Sequence, residues 1–209
     1  MKYMALLLLA ALPALGQRDL HDSNRIGIGG GVNQFTLKTD NFKTAPGAGW
    51  QAGLSMRGNF YNDFDMVYGI QFSENHFTVE TMAGPVKKDV DYTIPSAQLS
   101  LLLSYKFIEN HLSLEFGPML QVSGKMKLDK SDEENSVTGT DLLAKDIAET
   151  SRFNLFPTIG ITAGVKHVRL NVMYQYGITN LLGALNKNDL GVNFKGNAGI
   201  LSGSVIVYL

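Results

Sequence analysis

Cysteine is absent from the 209 residues, which removes disulfide staples, thiolate nucleophiles and thiolate metal sites from consideration. A surplus of either charge is also missing. The 18 Lys and Arg against 19 Asp and Glu leave a formal net charge of −1, so nothing electrostatic points to nucleic acid or an acidic surface as a partner. Charged residues make up only 18% of the chain and apolar ones 44%, a balance too apolar for a disordered protein. Long apolar runs are lacking as well. After residue 16 the longest, around "LSLLLSYKF", is broken by serines and falls far short of the roughly 20 residues a membrane helix needs.

The single clean apolar run stands at the start. "MKYMALLLLAALPALGQ" has Lys2, then an apolar stretch from Met4 to Leu12, then Pro13 with the small residues Ala14 and Gly16. This is the layout of a secretory signal spanning residues 1–16, with Gln17 as the mature start and residues 17–209 as the exported domain. With no Cys after the cleavage site, a lipoprotein anchor is excluded.

What the chain has in quantity is alternation of period two. In "AGWQAGLSMRGNF", Trp50, Ala52, Leu54, Met56 and Phe60 oppose Gln51, Gly53, Ser55, Arg57 and Asn59. Successive side chains of a strand point to opposite faces, so this reads as a strand with one apolar and one polar surface. The same pattern recurs at residues 25–35, 65–73, 94–107, 112–126, 153–166, 168–179 and 197–209, which makes eight strands.

The links between them alternate in length. Those at 61–63, at 108–111 and around His167 are short, and those at 38–47, 80–93, 127–152 and 180–196 are long. Tight periplasmic turns alternating with long extracellular loops are the arrangement of outer-membrane barrels, whereas a sandwich has no reason to sort its loops by parity. Arg57 on the lipid face would cost up to about 2 to 4 kcal/mol near the midplane, so the polar lists belong inside. The expectation is an all-β, eight-stranded, antiparallel up-and-down transmembrane barrel with both termini in the periplasm. Trp50 and Phe60 would mark the two membrane boundaries of the second strand. An exported soluble barrel holding a small apolar ligand is the architectural alternative.

Three strands resemble a known family. "IPSAQLSLLLSYKF", "LSLEFGPMLQV" with Glu115, Gly117 and Pro118, and "LNVMYQYGITNLL" with Tyr174, Tyr176, Gly177, Thr179 and Asn180 are similar to successive strands of the PorT-like outer-membrane β-barrel family of Bacteroidota. Met173 departs from an Arg common in that family, and Leu209 follows the terminal aromatic Tyr208. The resemblance implies location and fold, and one branch of the family is tied to secretion and gliding machinery.

The interior of an eight-stranded barrel is about filled by its own side chains. Arg57, Lys106, Glu115 and Arg169 all stand on polar lists within about four residues of a short turn, hence at similar depth toward the periplasm. Glu115 is expected to accept from Arg57 and Arg169 in an internal ion network. The alternative leaves Lys106 and Arg169 reaching into periplasmic water. No catalytic, cofactor or metal residues are expected. Among the histidines, His21, His111 and His167 sit before the first strand or at turns, and only His76 with Glu74 has the depth a lipid-modifying site would need. "GIGGG" at 27–31 lacks dinucleotide spacing, and the acidic "DKSDEEN" at 129–135 reads as a solvated loop ahead of a loose calcium site. In the third long loop, Thr140 or Asp141 would cap a short helix carrying Leu143 and Ile147 on one face.

The expected partners are outer-membrane lipid, the insertion machinery during biogenesis, and a protein engaged through loop 127–152. The expected role is structural or docking and non-enzymatic, with a secretion-machine component and a lipid-modifying enzyme as alternatives.

Overall fold

The period-two segments do form strands, and several run well past the stretch that lipid can cover. In the computed structural model, which describes residues 24–187 and 193–209, the strands are β1 Arg25–Lys38, β2 Thr44–Tyr61, β3 Phe64–Ala83, β4 Val86–Ile108, β5 Leu112–Ser123, β6 Ser136–Val137, β7 Phe153–Gly164, β8 Val168–Tyr176 and β9 Asn197–Tyr208. The expected signal segment and His21 lie outside the described residues. Every named pairing is antiparallel, and β1 bonds to both β2 and β9, so the sheet closes on itself as an eight-stranded ring. The two-residue β6 stands outside the ring and pairs with Thr81 and Met82 at the far end of β3.

At one end the connections are tight. Asn62 and Asn110 sit there at positive φ, 47° and 59°, a conformation Asn tolerates better than most side chains. This is the periplasmic end by the length rule. The glycines of β1 have a packing reason: a Cβ on Gly31 would stand 2.0 Å from the Gly203 carbonyl oxygen, so β1 and β9 could not approach as they do.

Two expectations about the other end need correction. Residues 80–93 are not a loop. β3 and β4 continue as a hairpin to a turn at Gly84, whose φ is +62°, because the alternation at Phe77, Val79 and Thr81 and at Val90, Tyr92 and Ile94 continues in phase. The helix expected from Thr140 is only a 3-10 turn at Ala144–Ile147. Thr140 donates to the Val137 carbonyl and Asp146 accepts from the Leu143 backbone N–H. The buried residues are Leu142, Ala144 and Ile147, while Leu143 is half-buried.

Along the barrel the chemistry of the two faces inverts while the pleat keeps its phase. On β3 the outward residues Met66, Tyr68, Ile70 and Phe72 are apolar, and from Glu74 through His76, Thr78 and Glu80 they are polar. The inward residues change the other way, from a mainly polar set, Asp65, Gln71, Ser73 and Asn75 with Val67 among them, to Phe77 and Val79. The apolar-out length is a lipid belt of about 9 residues per strand, enough for a tilted strand to cross a bilayer. The apolar-in length is a head standing beyond the membrane. Its core gathers Phe35, Phe77, Val79, Val90, Tyr92 and Ile94 from the strands, with Phe42, Val137, Ile147, Leu182 and Phe194 from the loops.

Candidate functional site: the barrel interior and the outer head

At the periplasmic end the inward side chains of β2, β3, β4, β5 and β8 bring charge into a space sealed from lipid. Arg57 Nη2 is hydrogen-bonded and ion-paired to Glu115 Oε1. Arg57 Nη1 donates to Asp65 Oδ2 at 3.2 Å and to Ser104 Oγ at 2.8 Å. Lys106 Nζ stands 3.3 Å from the second Asp65 oxygen. The other Glu115 oxygen accepts from Asn171 Nδ2 at 3.2 Å, and that amide also reaches Thr162 Oγ1 at 2.9 Å. Tyr208 lies under the Arg57 guanidinium, 6.0 Å from ring centroid to Cζ, and its hydroxyl bonds Ser55 at 3.0 Å.

The geometry therefore brings Arg57 and Glu115 together and puts Lys106 on Asp65 inside the barrel, not in periplasmic water. Arg169 is 1% exposed in the same chamber, yet among the described residues it makes no ion pair, with Glu115 or any other acid. Asp65 is the member that sequence reasoning did not weigh. The signal was present, since Asp65 is on the inward list of its strand and next to the turn at Asp63. Only the register, which sets Asp65 opposite Ser104 and Ser104 opposite Glu115, makes the acids neighbours.

Above this cluster the interior is a layer of amides. Gln71 donates to Gln98, and Gln98 donates to both Gln121 and Gln175, at 2.6 to 3.0 Å. Between charge and amides remains a cavity of about 70 Å³, lined in part by Ser55, Val67, Leu102, Met119 and Asn171, which is room for a few waters. The apolar core of the head closes the lumen above the amides.

The head is tied together by polar contacts at its rim. Tyr92 donates to the Ala144 carbonyl at 2.8 Å, and burial, with Asp132 and Asp146 near, pushes its phenol up, so it stays a donor. Lys88 pairs with Asp132. Asp129 accepts from the Ser131 N–H, which holds its carboxyl below the usual range. Asp129, Asp132 and Glu134, which pairs with Lys145, are thus engaged within the protein, and no cluster with metal-ligand grouping occurs among the described residues. Thr179 and Asn180 join the loops. Thr179 donates to Asn154, while Asn180 holds the Phe194 carbonyl at 2.8 Å and accepts from the Gly196 N–H at 2.9 Å.

The candidate catalytic pair does not assemble. Glu74 accepts from the Trp50 indole at 3.0 Å, at the level where the outward face turns polar, and His76 shares a hydrogen bond with Thr93 at 3.1 Å. The pairing gives Trp50 the polar handle that interfacial aromatics use. His111 and His167 contact backbone carbonyls at the turns.

A closed antiparallel ring with lipid-facing apolar strands and a polar, filled interior defines an outer-membrane β-barrel protein. A family model described as outer membrane protein beta-barrel domain matches residues 17–183, and the chain belongs to that family. Among solved structures, it is similar to Neisserial surface protein A (15% identity, 89% of this chain and 99% of that chain, TM-score 0.50). It is also similar to Ail, the attachment invasion locus protein of Yersinia pestis, solved with the heparin analogue sucrose octasulfate (13% identity, 90% of this chain and 100% of that chain, TM-score 0.51). At these identities the likeness is one of fold. No curated protein matches the sequence.

Proposed function

We propose that this barrel is a non-enzymatic docking protein of the outer membrane, which holds a preformed head at the cell surface for a protein partner. The observation that carries the reading is the head itself. Strand extensions and three loops share one apolar core there, so the surface above it is ordered before any partner arrives, which lowers the cost of binding. Loop 127–152 supplies Val137 and Ile147 to that core while Lys130, Glu134, Asp141 and Lys145 stay exposed on its outer side. Charge at one end of the lumen and apolar packing at the other favour this role over conduction.

The test is site-specific photo-crosslinking in whole cells. A crosslinker at Glu134 should capture a discrete protein partner, and one at Leu54 in the lipid belt should not. Deleting residues 129–149 should abolish capture while the barrel still inserts and keeps heat-modifiable migration. Loss of the folded barrel on deletion would make the loop a structural cap instead.

The Ile94-Pro95 and Gly117-Pro118 strands resemble the PorT-like family as a whole, and a secretion or gliding machine as partner is the alternative that one branch of that family suggests. Recovery of such components by pull-down from native membranes would favour it, and an unrelated partner would count against it. Unchanged lipid A mass spectra in a deletion strain are the expected outcome for a barrel that is not a lipid-modifying enzyme. Export by cleavage after Gly16 is likewise part of the proposal, and Edman sequencing of the mature protein should begin at Gln17.

A further inference from the structure

The charged chamber does not balance. Among the described residues its inward cations are Arg57, Lys106 and Arg169, with Arg25 bonded at the rim to the Lys166 carbonyl and Asn110. The carboxylates are Asp65 and Glu115, and both already serve Arg57 and Lys106. The hydrogen bonds are lopsided in the same sense. Arg57 Nε, Arg169 Nε and Nη1, and Ser113 Oγ are buried without a partner, and all of them can donate. Arg57, Asp65 and Glu115 lie within electrostatic range of Arg169, but none bonds it. Ser113 belongs to the same end of the lumen, since it pairs with Lys106 on one side and Thr162 on the other. A guanidinium 1% exposed, with no ion pair among the described residues and with Nε and Nη1 lacking an acceptor, is an arrangement proteins avoid. Water can complete the hydrogen bonds, but it leaves the charge uncompensated.

We propose that the periplasmic end of the lumen is a binding site for a small inorganic anion of chloride size, held by Arg169 with the free Nε of Arg57 and the Ser113 hydroxyl. The anion supplies the missing negative charge and completes the plug below the small cavity. Its size class follows from the enclosure: side chains fill an eight-stranded lumen, so an organic anion has no room.

The full-length barrel in detergent micelles tests this through its heat-modifiable unfolding midpoint in sodium chloride, sodium bromide and sodium gluconate at equal ionic strength. The midpoint should rise with chloride or bromide and saturate, as for a ligand that binds only the folded state, and should be lower and flat in gluconate. In Arg169→Met the difference between halide and gluconate should vanish. Bromide-soaked crystals should show an anomalous peak beside Arg169. Equal midpoints in all three salts, a halide effect that survives in Arg169→Met, or ordered water only at the site would each overturn the proposal. Should Arg169→Met fail to insert, Ser113→Ala, which leaves every ion pair in place, should weaken the halide dependence, and an unchanged dependence would count against the site.

Discussion

Phe72 and Phe77 stand on the same strand, and one is 61% exposed while the other is 1% exposed. They lie on opposite faces of β3, Phe72 among the lipid-facing residues of the belt and Phe77 stacked on Tyr92 at 5.3 Å inside the head. The hydrophobic effect needs water, so it drives apolar groups inward only where the outside is aqueous. In the belt the outside is hydrocarbon and the interior is held mainly by hydrogen bonds and ion pairs, with a few apolar side chains such as Val67, Leu102 and Met119 between them. In the head the outside is water and the interior is an ordinary apolar core. One barrel wall thus carries two stabilising logics in series, and the crossing lies where Trp50 meets Glu74.

The comparison is broken most severely from the head. Phe77→Ala removes a ring packed between Phe35 and Tyr92 and should cost about 3 to 5 kcal/mol locally. Limited proteolysis of loop 127–152 should speed up while the heat-modifiable midpoint of the barrel barely moves. If both fall together, the two regions are one cooperative unit.

From the other side, Glu115→Gln leaves Arg57 buried with Asp65 alone, and removing one partner of a buried pair costs up to about 3 to 5 kcal/mol. The barrel midpoint should drop and loop proteolysis should not change. An unaltered midpoint would show that the ion network contributes no stability.

A matched pair on the outward face of β3 sharpens the boundary. Ile70→Lys places a charge in lipid and should cost about 2 to 4 kcal/mol in a folding titration into lipid vesicles. Thr78→Lys, on the same face but opposite Asp91 in the head, should change stability by less than about 0.5 kcal/mol. Comparable losses at both positions would move the membrane boundary outward past Thr78.

The smallest effect is a pH response of the outer hairpin. The Lys87 ammonium donates to Glu80 at 3.2 Å and holds that exposed carboxyl below its usual value, with Lys43 adding to the effect. A depressed folded-state value means the contribution is present above the ordinary carboxylate range and is lost as pH falls through the folded value. Hydrogen exchange at residues 80–88 should therefore quicken slightly on acidification below about pH 4, and Lys87→Ala should remove that response.

Much of this was readable from the chain. Period-two alternation assigns each side chain to a face without knowledge of any neighbour, so Arg57 and Glu115 could be placed on interior lists from spacing to the nearest turn. Asp65 was on the same kind of list, but its service to both Arg57 and Lys106 depends on which residues stand opposite across three strands. The hairpin at 80–93 misled for a different reason: Lys87, Lys88, Asp89 and Asp91 look like a polar loop unless their inward partners Val90 and Tyr92 are already known to be covered.

The sequence by itself determined the eight membrane-crossing strands, their pleat and the tight turns at one end, because these follow from local backbone geometry and from turn residues such as Asn62 and Asn110. Only the tertiary structure decided at which height the surroundings of the wall change from lipid to water and which interior charges meet. That depends on ring closure, which sets what surrounds each level of the wall, and on register, which sets whose charge meets whose. The same closure brought Arg169 into a chamber whose two acids were already taken, a fact that no single strand contains.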